Sequence, residues 1–168
     1  YGLMPQLTRY APGILPCYLM YWRYSMHQTD EMESSIMLLN ANILVVEDSL
    51  TQAIKLQALL EQHGCTVQLA SDGEQALQRV EQQPPDLIIS DVVMPIMDGY
   101  TLCHKLKNNP ATQHIPILLV TTLTNSADVL KGLTCGADNF ITKPYEARYL
   151  LSRLNYLLAN FALHDQQR

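Results

Sequence analysis

The fold that we predict for this chain depends on one stretch of sequence, Asp86-Leu-Ile-Ile-Ser-Asp91-Val-Val-Met-Pro95-Ile-Met-Asp-Gly99. The apolar or small residues after Asp86 are typical of a short strand that is buried on both faces, and this strand ends at Asp91. Pro95 and Gly99 then favour a loop. A carboxylate therefore follows a buried strand, at the edge where open parallel α/β sheets collect ligands and chemistry. We take Asp91 as the candidate reactive residue.

Three other apolar runs are followed by polar side chains in the same way. Taken singly, such residues have ordinary structural roles, as a helix N-cap, a β-branched strand residue or a solvated loop charge. Because the carboxyl ends of parallel strands meet at one edge of a sheet, we expect these side chains to lie close to Asp91. They are Glu47 and Asp48 after the run 42–46, Thr121 after the run 115–120, and Lys143 after the run 138–142.

Strand and helix patterns alternate along the chain and predict an α/β fold with five strands and five helices. The helices are expected to begin at Ser49, near Asp72, near Gly99, at Ser126 and before Leu150, with the first ending at the C-cap Gly64. Parallel strands need crossover connections, and right-handed crossovers favour a doubly wound five-stranded parallel sheet in the order 2-1-3-4-5. Its switch point lies between strands one and three. The predicted strands are 43–46, 66–69, 87–90, 116–120 and 139–142.

Four motifs in this order make residues 41 to about 160 resemble the receiver domain of two-component response regulators, of the chemotaxis-receiver type. The resemblance implies a flavodoxin-like fold and a phosphoacceptor module that receives a phosphoryl group from a histidine kinase or a phosphotransfer protein. The motifs are Val45-Val-Glu-Asp-Ser49, Ile89-Ser-Asp-Val-Val-Met-Pro-Ile-Met-Asp-Gly99, Leu119-Val-Thr-Thr122 and Ile141-Thr-Lys-Pro-Tyr145.

Three carboxylates in one crevice repel one another unless a cation neutralises them, and oxygen-only ligands suit Mg²⁺. We expect Asp48 and Asp91 to contact the metal, and Glu47 to act through water. The resemblance adds the backbone carbonyl of Val93 as a further ligand. Many receivers have aspartate where this chain has Glu47, and a water-mediated partner should tolerate the extra methylene. Asp91 is then expected to act as the nucleophile that forms an aspartyl phosphate.

The resemblance also assigns the phosphoryl contacts and the switch. Lys143 would supply a second cation, with a cis peptide bond between Lys143 and Pro144, and Thr121 would supply a hydroxyl. Movement of Thr121 would let the aromatic ring of Phe140 turn inward and bias the face of the fourth helix, fifth strand and fifth helix between two packings. The same face is a candidate homodimer interface.

Two apolar residues suggest that the phosphorylated form is long-lived. Val93 and Leu123 stand two residues after Asp91 and Thr121, where some relatives have polar residues that orient a hydrolytic water. We therefore expect self-catalysed phosphorylation and slow autodephosphorylation.

Charge and composition exclude several classes of protein. A net charge of -5 and a pI near 5.4 argue against a general nucleic-acid surface. No run is long and apolar enough to predict a membrane span, and a phosphate-handling acidic site favours the cytoplasm. The cysteines lack metal-site spacing and are interpreted as reduced, mostly buried thiols. They are Cys17, Cys65, Cys103 and Cys135.

The predicted organisation has three parts. Residues 1–38 are expected to be an N-terminal extension without its own fold, with Met32 near the biological start, or else a Tyr-rich arm that docks on a partner. Residues 39–160 form the receiver domain. Residues 161–168 continue the last helix as a tail or linker, either into an effector or kinase domain or at the end of a single-domain regulator.

Other functions remain open at this point. A phosphohydrolase of the haloacid-dehalogenase type also uses an aspartyl nucleophile after a strand. That type requires a second Asp at the position where this chain has Val93. A flavodoxin-like cofactor binder would need a hydroxyl-rich phosphate loop where Glu47 and Asp48 would repel phosphate. A pseudo-receiver that is never phosphorylated is a further alternative.

Overall fold

The five predicted strands form one parallel sheet in a computed structural model of the protein, which describes residues 40–122 and 134–165, with side chains up to residue 161. The spatial order is β2-β1-β3-β4-β5, which confirms the predicted order. Because β1 and β3 are neighbours although they are not consecutive in the chain, a crevice opens between their carboxyl ends. The strands are β1 (Asn42–Val46), β2 (Thr66–Ala70), β3 (Leu87–Asp91), β4 (Ile117–Thr121) and β5 (Asn139–Thr142).

Four helices connect or follow these strands in the described part of the chain. The predicted helix that begins at Ser126 lies almost wholly outside the described residues, so the predicted fifth helix is α4 here. The described helices are α1 (Leu50–Gln62), α2 (Gly73–Gln82), α3 (Gly99–Lys107) and α4 (Ala147–Asp165). None of them has the length and apolar character of a membrane-spanning segment.

The helix ends follow the predicted capping residues with two corrections. The second helix begins at Gly73, close to the predicted start near Asp72, and Asp72 caps it by accepting a hydrogen bond from the Gln75 backbone N–H. Ser49 occupies the N-cap position of α1, but its side chain makes no capping hydrogen bond. The C-cap of α1 is His63 rather than Gly64, because Gly64 takes the following position with a φ of 86°, where a residue without Cβ is unstrained.

The central strands are buried on both faces, which explains why their sequences read as continuous apolar runs. Residues of β1, β3 and β4 are almost fully buried, and α1 and α4 pack apolar side chains against the sheet. Each buried Leu or Ile of this size contributes about 1.5–3 kcal/mol to stability. The sheet therefore holds its strand ends rigidly. The helix residues in this core include Ala53, Leu56, Leu60, Leu150, Leu151, Leu154 and Leu157.

The described cysteines agree with the predicted thiols. Cys65, Cys103 and Cys135 are buried and stand outside any disulfide. Burial raises the pKa of the Cys103 thiol well above its ordinary range, so this sulfur stays protonated and inert. Cys17 and the predicted extension 1–38 lie outside the described residues.

Candidate functional site

Three carboxylates meet at the carboxyl edge of the sheet. Glu47 and Asp48 directly follow β1, and Asp91 ends β3, which pairs with β1 up to Val46 and Ser90. One oxygen from each carboxylate lies within 4.8 Å of the other two. Glu47 is buried, whereas Asp48 is exposed. The structure thus brings together the three acidic residues that were predicted to meet here, and they could hold a metal ion.

The side chain of Lys143 enters the cluster from the end of β5. Its Nζ lies 2.6 Å from Asp91 Oδ2 and 2.9 Å from Glu47 Oε2. The peptide bond between Lys143 and Pro144 is cis, as expected. Burial lowers the pKa of Lys143, but the hydrogen bonds and charges of Asp91 and Glu47 outweigh it and raise this pKa above its ordinary value. The ammonium therefore stays charged and offsets one of the three negative charges.

Backbone N–H groups donate to the remaining oxygens of the Asp91 and Glu47 carboxylates. The Val93 N–H donates to Asp91 Oδ1 at 3.2 Å, and the Ser49 N–H donates to Glu47 Oε1 at 3.2 Å. Each carboxylate is consequently held by one backbone donor and by the Lys143 ammonium. This arrangement limits the rotation of Asp91 and aims its carboxylate into the crevice.

The loop after β3 is tied tightly to the strand end. Asp98 accepts a hydrogen bond of 2.7 Å from the Thr101 N–H and caps α3. The Gly99 N–H donates to the Val92 carbonyl, and a Cβ at Gly99 would collide with the Asp91 carbonyl. Glycine is required here because the helix start approaches the reactive strand end so closely.

Thr121 and Phe140, the two residues of the predicted switch, lie on the neighbouring strands β4 and β5. Thr121 is buried at the end of β4, and its carbonyl accepts a 2.7 Å hydrogen bond from the Lys143 N–H. Phe140, on the neighbouring strand β5, is partly buried and packs against the core on the α3 side of the sheet. Leu123, the second residue of the slow-dephosphorylation argument, lies outside the described residues, while Val93 is 55% exposed beside the cluster.

Sequence reasoning missed two residues of this site. Gln52, in the first turn of α1, accepts a hydrogen bond from Lys143 Nζ through Oε1 at 2.9 Å. Burial raises the pKa of Tyr145, and the charges of Lys143, Glu47 and Asp91 also act on its hydroxyl, so this residue stands beside the cluster. The only signal in the sequence was position, since Gln52 lies three residues after the expected N-cap of α1.

The donor set of the cluster fits a hard divalent cation. All its side-chain ligands are carboxylate oxygens, and no histidine or cysteine among the described residues joins them. The cluster keeps a net charge of about −2 after the Lys143 ammonium is counted, which favours cation binding.

Comparison with known proteins agrees with the observed fold and indicates a family. The family model described as the response regulator receiver domain matches residues 43–155. The chain is 42% identical over 130 residues to Response regulator PleD of Caulobacter vibrioides. The matched region covers 77% of the chain and 29% of PleD. It is also 37% identical over 119 residues to Protein PilH of Pseudomonas aeruginosa, and this matched region covers 71% of the chain and 98% of PilH.

Solved structures include a similar domain. The signal receiver domain of a signal transduction histidine kinase from Syntrophus aciditrophicus has 46% sequence identity and a TM-score of 0.70, over 71% of this chain and 91% of that domain. The chain thus spans less than a third of PleD but nearly the whole of PilH and of this domain. From its sheet order, its acidic cluster and these matches, we conclude that the chain belongs to the response regulator receiver family.

Proposed function

We propose that this receiver domain takes a phosphoryl group onto the carboxylate of Asp91. The observation that carries the proposal is the environment of Asp91, which has the Lys143 ammonium 2.6 Å from one oxygen and an oxygen of each of two further carboxylates within 4.8 Å. A carboxylate in this position can attack phosphorus while the surrounding groups accommodate the charge of the phosphoryl oxygens.

The proposed cation is Mg²⁺, held by Asp48 and Asp91, with Glu47 acting through water and the Val93 carbonyl as a further ligand. This assignment rests on the oxygen-only donor set and on the spacing of the three carboxylates. When bound, Mg²⁺ would neutralise charge on the carboxylates and on the phosphoryl oxygens.

The chain's own side chains supply the remaining parts of the reaction. One oxygen of Asp91 forms the new bond to phosphorus as the bond to the donor's leaving group breaks. Lys143 is already within hydrogen-bond distance of Asp91, and its ammonium can donate instead to a phosphoryl oxygen. The Thr121 hydroxyl is the proposed second donor, because β4 ends beside β3 and Asp91 pairs with Val120.

The proposed output is a change of packing at β5. Recruitment of the Thr121 hydroxyl by the phosphoryl group would open space next to Phe140, whose partly buried ring can then turn inward. Phenylalanine fills this space but cannot form an outward hydrogen bond, so the packing part of the switch is retained and the polar part is absent.

The proposed partner is a histidine kinase or a phosphotransfer protein in the cytoplasm, and the receiver domain is proposed to span residues 39–160. The family match over residues 43–155 supports these bounds. The proposal includes an effector or kinase domain joined to the receiver, because the chain matches 29% of PleD. A homodimer through the face that includes β5 and α4 is a further proposal.

The decisive experiment incubates the chain with Mg²⁺ and acetyl phosphate and follows its intact mass. The unaltered chain should gain one phosphoryl group, and Asp91→Asn should gain none. Asp86→Asn is the matched control, since Asp86 lies at the other end of β3 and binds the Asn42 N–H. A haloacid-dehalogenase-like hydrolase would release phosphate catalytically, and a pseudo-receiver would show no gain of mass. Either result, or labelling of Asp91→Asn, would reject the proposal.

A further inference from the structure

The ammonium of Lys143 has three N–H donors, and the structure gives each of them an acceptor. Two acceptors belong to the acidic cluster, namely Asp91 Oδ2 at 2.6 Å and Glu47 Oε2 at 2.9 Å. The third is the side-chain oxygen of Gln52 at 2.9 Å. Gln52 is an uncharged residue of α1 that lies outside the acidic cluster.

From this geometry we infer that Gln52 is the positioning residue for Lys143 in the phosphorylation reaction. The inference rests on the proposed function, because it assigns Lys143 to the phosphoryl group. Gln52 acts through Lys143 and holds the ammonium at the mouth of the site while its carboxylate partners change.

The two carboxylate contacts of Lys143 cannot persist unchanged through the reaction. Asp91 becomes the phosphorylated residue, and Glu47 would help to hold the cation through water. The hydrogen bond that Lys143 donates to Gln52 involves neither the reacting carboxylate nor a metal ligand, so it is the contact that can remain. A lysine side chain has about 2 kcal/mol of rotamer entropy. A hydrogen bond to Gln52 on α1 restricts the orientations that the Lys143 ammonium can adopt.

Chemistry fixes the orientation of the Gln52 amide. Lysine has no acceptor, so the side-chain oxygen of Gln52 must face Nζ and the amide nitrogen must face away. The anchor also comes from a rigid element, because Ala53 and Leu56 bury the adjacent face of α1 in the core. Replacement of the oxygen by a group of similar size therefore removes the contact without loss of core packing.

The test compares Gln52→Leu with Gln52→Glu, which restores an acceptor oxygen. With acetyl phosphate and saturating Mg²⁺, the phosphorylation rate of Gln52→Leu should fall by about threefold to tenfold, which is the range of one hydrogen bond. Gln52→Glu should recover most of the rate. Gln57→Leu is the matched control on the same helix, where the side chain binds Glu61 and the rate should be unchanged.

A double-mutant cycle separates positioning through Lys143 from any other effect of the substitution. In a Lys143→Met background, Gln52→Leu should produce no further loss of rate. An additive loss, or an unaltered rate in Gln52→Leu alone, would overturn the inference.

A second measurement needs no phosphorylation and no metal. The ¹⁵N-coupled NMR signal of the Lys143 ammonium should be sharp in the unaltered chain, where three acceptors hold it, and should broaden in Gln52→Leu but not in Gln57→Leu. If the chain never accepts phosphate but this signal responds, the proposed function fails and the anchoring contact stands. If phosphorylation occurs and the signal does not respond, the inference on Gln52 fails by itself.

Discussion

Replacement of Lys143 by methionine tests whether the ammonium holds the acidic cluster together. The Lys143 side chain is 14% exposed, and its ion-pair partners Glu47 and Asp91 are 8% and 10% exposed. Methionine keeps the apolar stem but removes the charge, so three carboxylates would share the crevice without a cation. We expect the variant to be less stable in metal-free solution.

The expected loss follows from the burial of the carboxylates. Removal of one partner of a buried ion pair typically costs about 3–5 kcal/mol, because the other charge is left uncompensated. The cluster also opens to water through the exposed Asp48, and solvent screening reduces the cost of the uncompensated charges. We therefore expect a loss of about 2–3 kcal/mol in the free energy of unfolding.

The sign of the pH dependence follows from the raised pKa of Lys143. Burial opposes the charge, but Asp91 and Glu47 raise the pKa above its ordinary value of 10.5. The stabilising contribution is complete below that ordinary value and is lost as the pH rises through the higher folded-state pKa. At neutral pH the full difference between the unaltered chain and Lys143→Met should therefore be measured.

Urea unfolding, first with a chelator and then with saturating Mg²⁺, gives the free energy of unfolding of each protein without and with the metal. Bound Mg²⁺ stabilises the folded state by linkage, and it should bind Lys143→Met more tightly because no ammonium competes for the carboxylates. The difference in the free energy of unfolding between the unaltered chain and Lys143→Met should consequently be smaller with Mg²⁺. Lys107→Met is the control, since Lys107 is also 14% exposed and pairs with Asp138, which is outside the acidic cluster.

The control should lose stability equally with and without Mg²⁺. The reasoning is refuted if Lys143→Met is as stable as the unaltered chain in the metal-free state, or if Mg²⁺ widens the gap.

Three further variants test the loop and the lifetime of the phosphoryl group. Ile96→Gly should raise the free energy of unfolding by about 0.5–1 kcal/mol in urea unfolding, because Ile96 has a φ of 67° and is 77% exposed. Gly99→Ala should lower it by about 1–3 kcal/mol and slow phosphorylation, since the new Cβ would displace the Asp91 carbonyl. Val93→Asn combined with Leu123→Glu should speed loss of phosphate, measured by intact mass over time, and an unchanged lifetime would contradict the water-positioning argument.

The fold could be predicted because each strand and each helix has a recognisable pattern within its own short stretch of sequence. Each buried strand appears as an apolar run, and strict alternation with helices leaves few topologies for a parallel sheet. The order β2-β1-β3-β4-β5 then places the ends of β1 and β3 side by side, which is why Glu47, Asp48 and Asp91 could be grouped from the sequence alone.

Details that depend on competition between neighbours could not be predicted in this way. Ser49 is a favourable N-cap residue by type, yet its side chain does not cap α1, while its backbone N–H binds Glu47 Oε1. The strained Ile96 was also unforeseen, because a β-branched residue rarely adopts positive φ. The turn there is closed by a 2.7 Å hydrogen bond from the Met97 N–H to the Pro95 carbonyl.

Gln52 shows why the uncharged part of a site escapes pattern reasoning. Acidic residues and a lysine at strand ends stand out because the interior disfavours unpaired charge. A glutamine on an exposed helical turn is ordinary in sequence, and its importance arises only because the third N–H of Lys143 needs an acceptor. In the proposed reaction the strand ends supply the charges that react, and α1 supplies a neutral contact outside the acidic cluster. The dependence of the reaction on α1 is therefore set by one hydrogen bond, which the Gln52 and Lys143 double-mutant cycle measures directly.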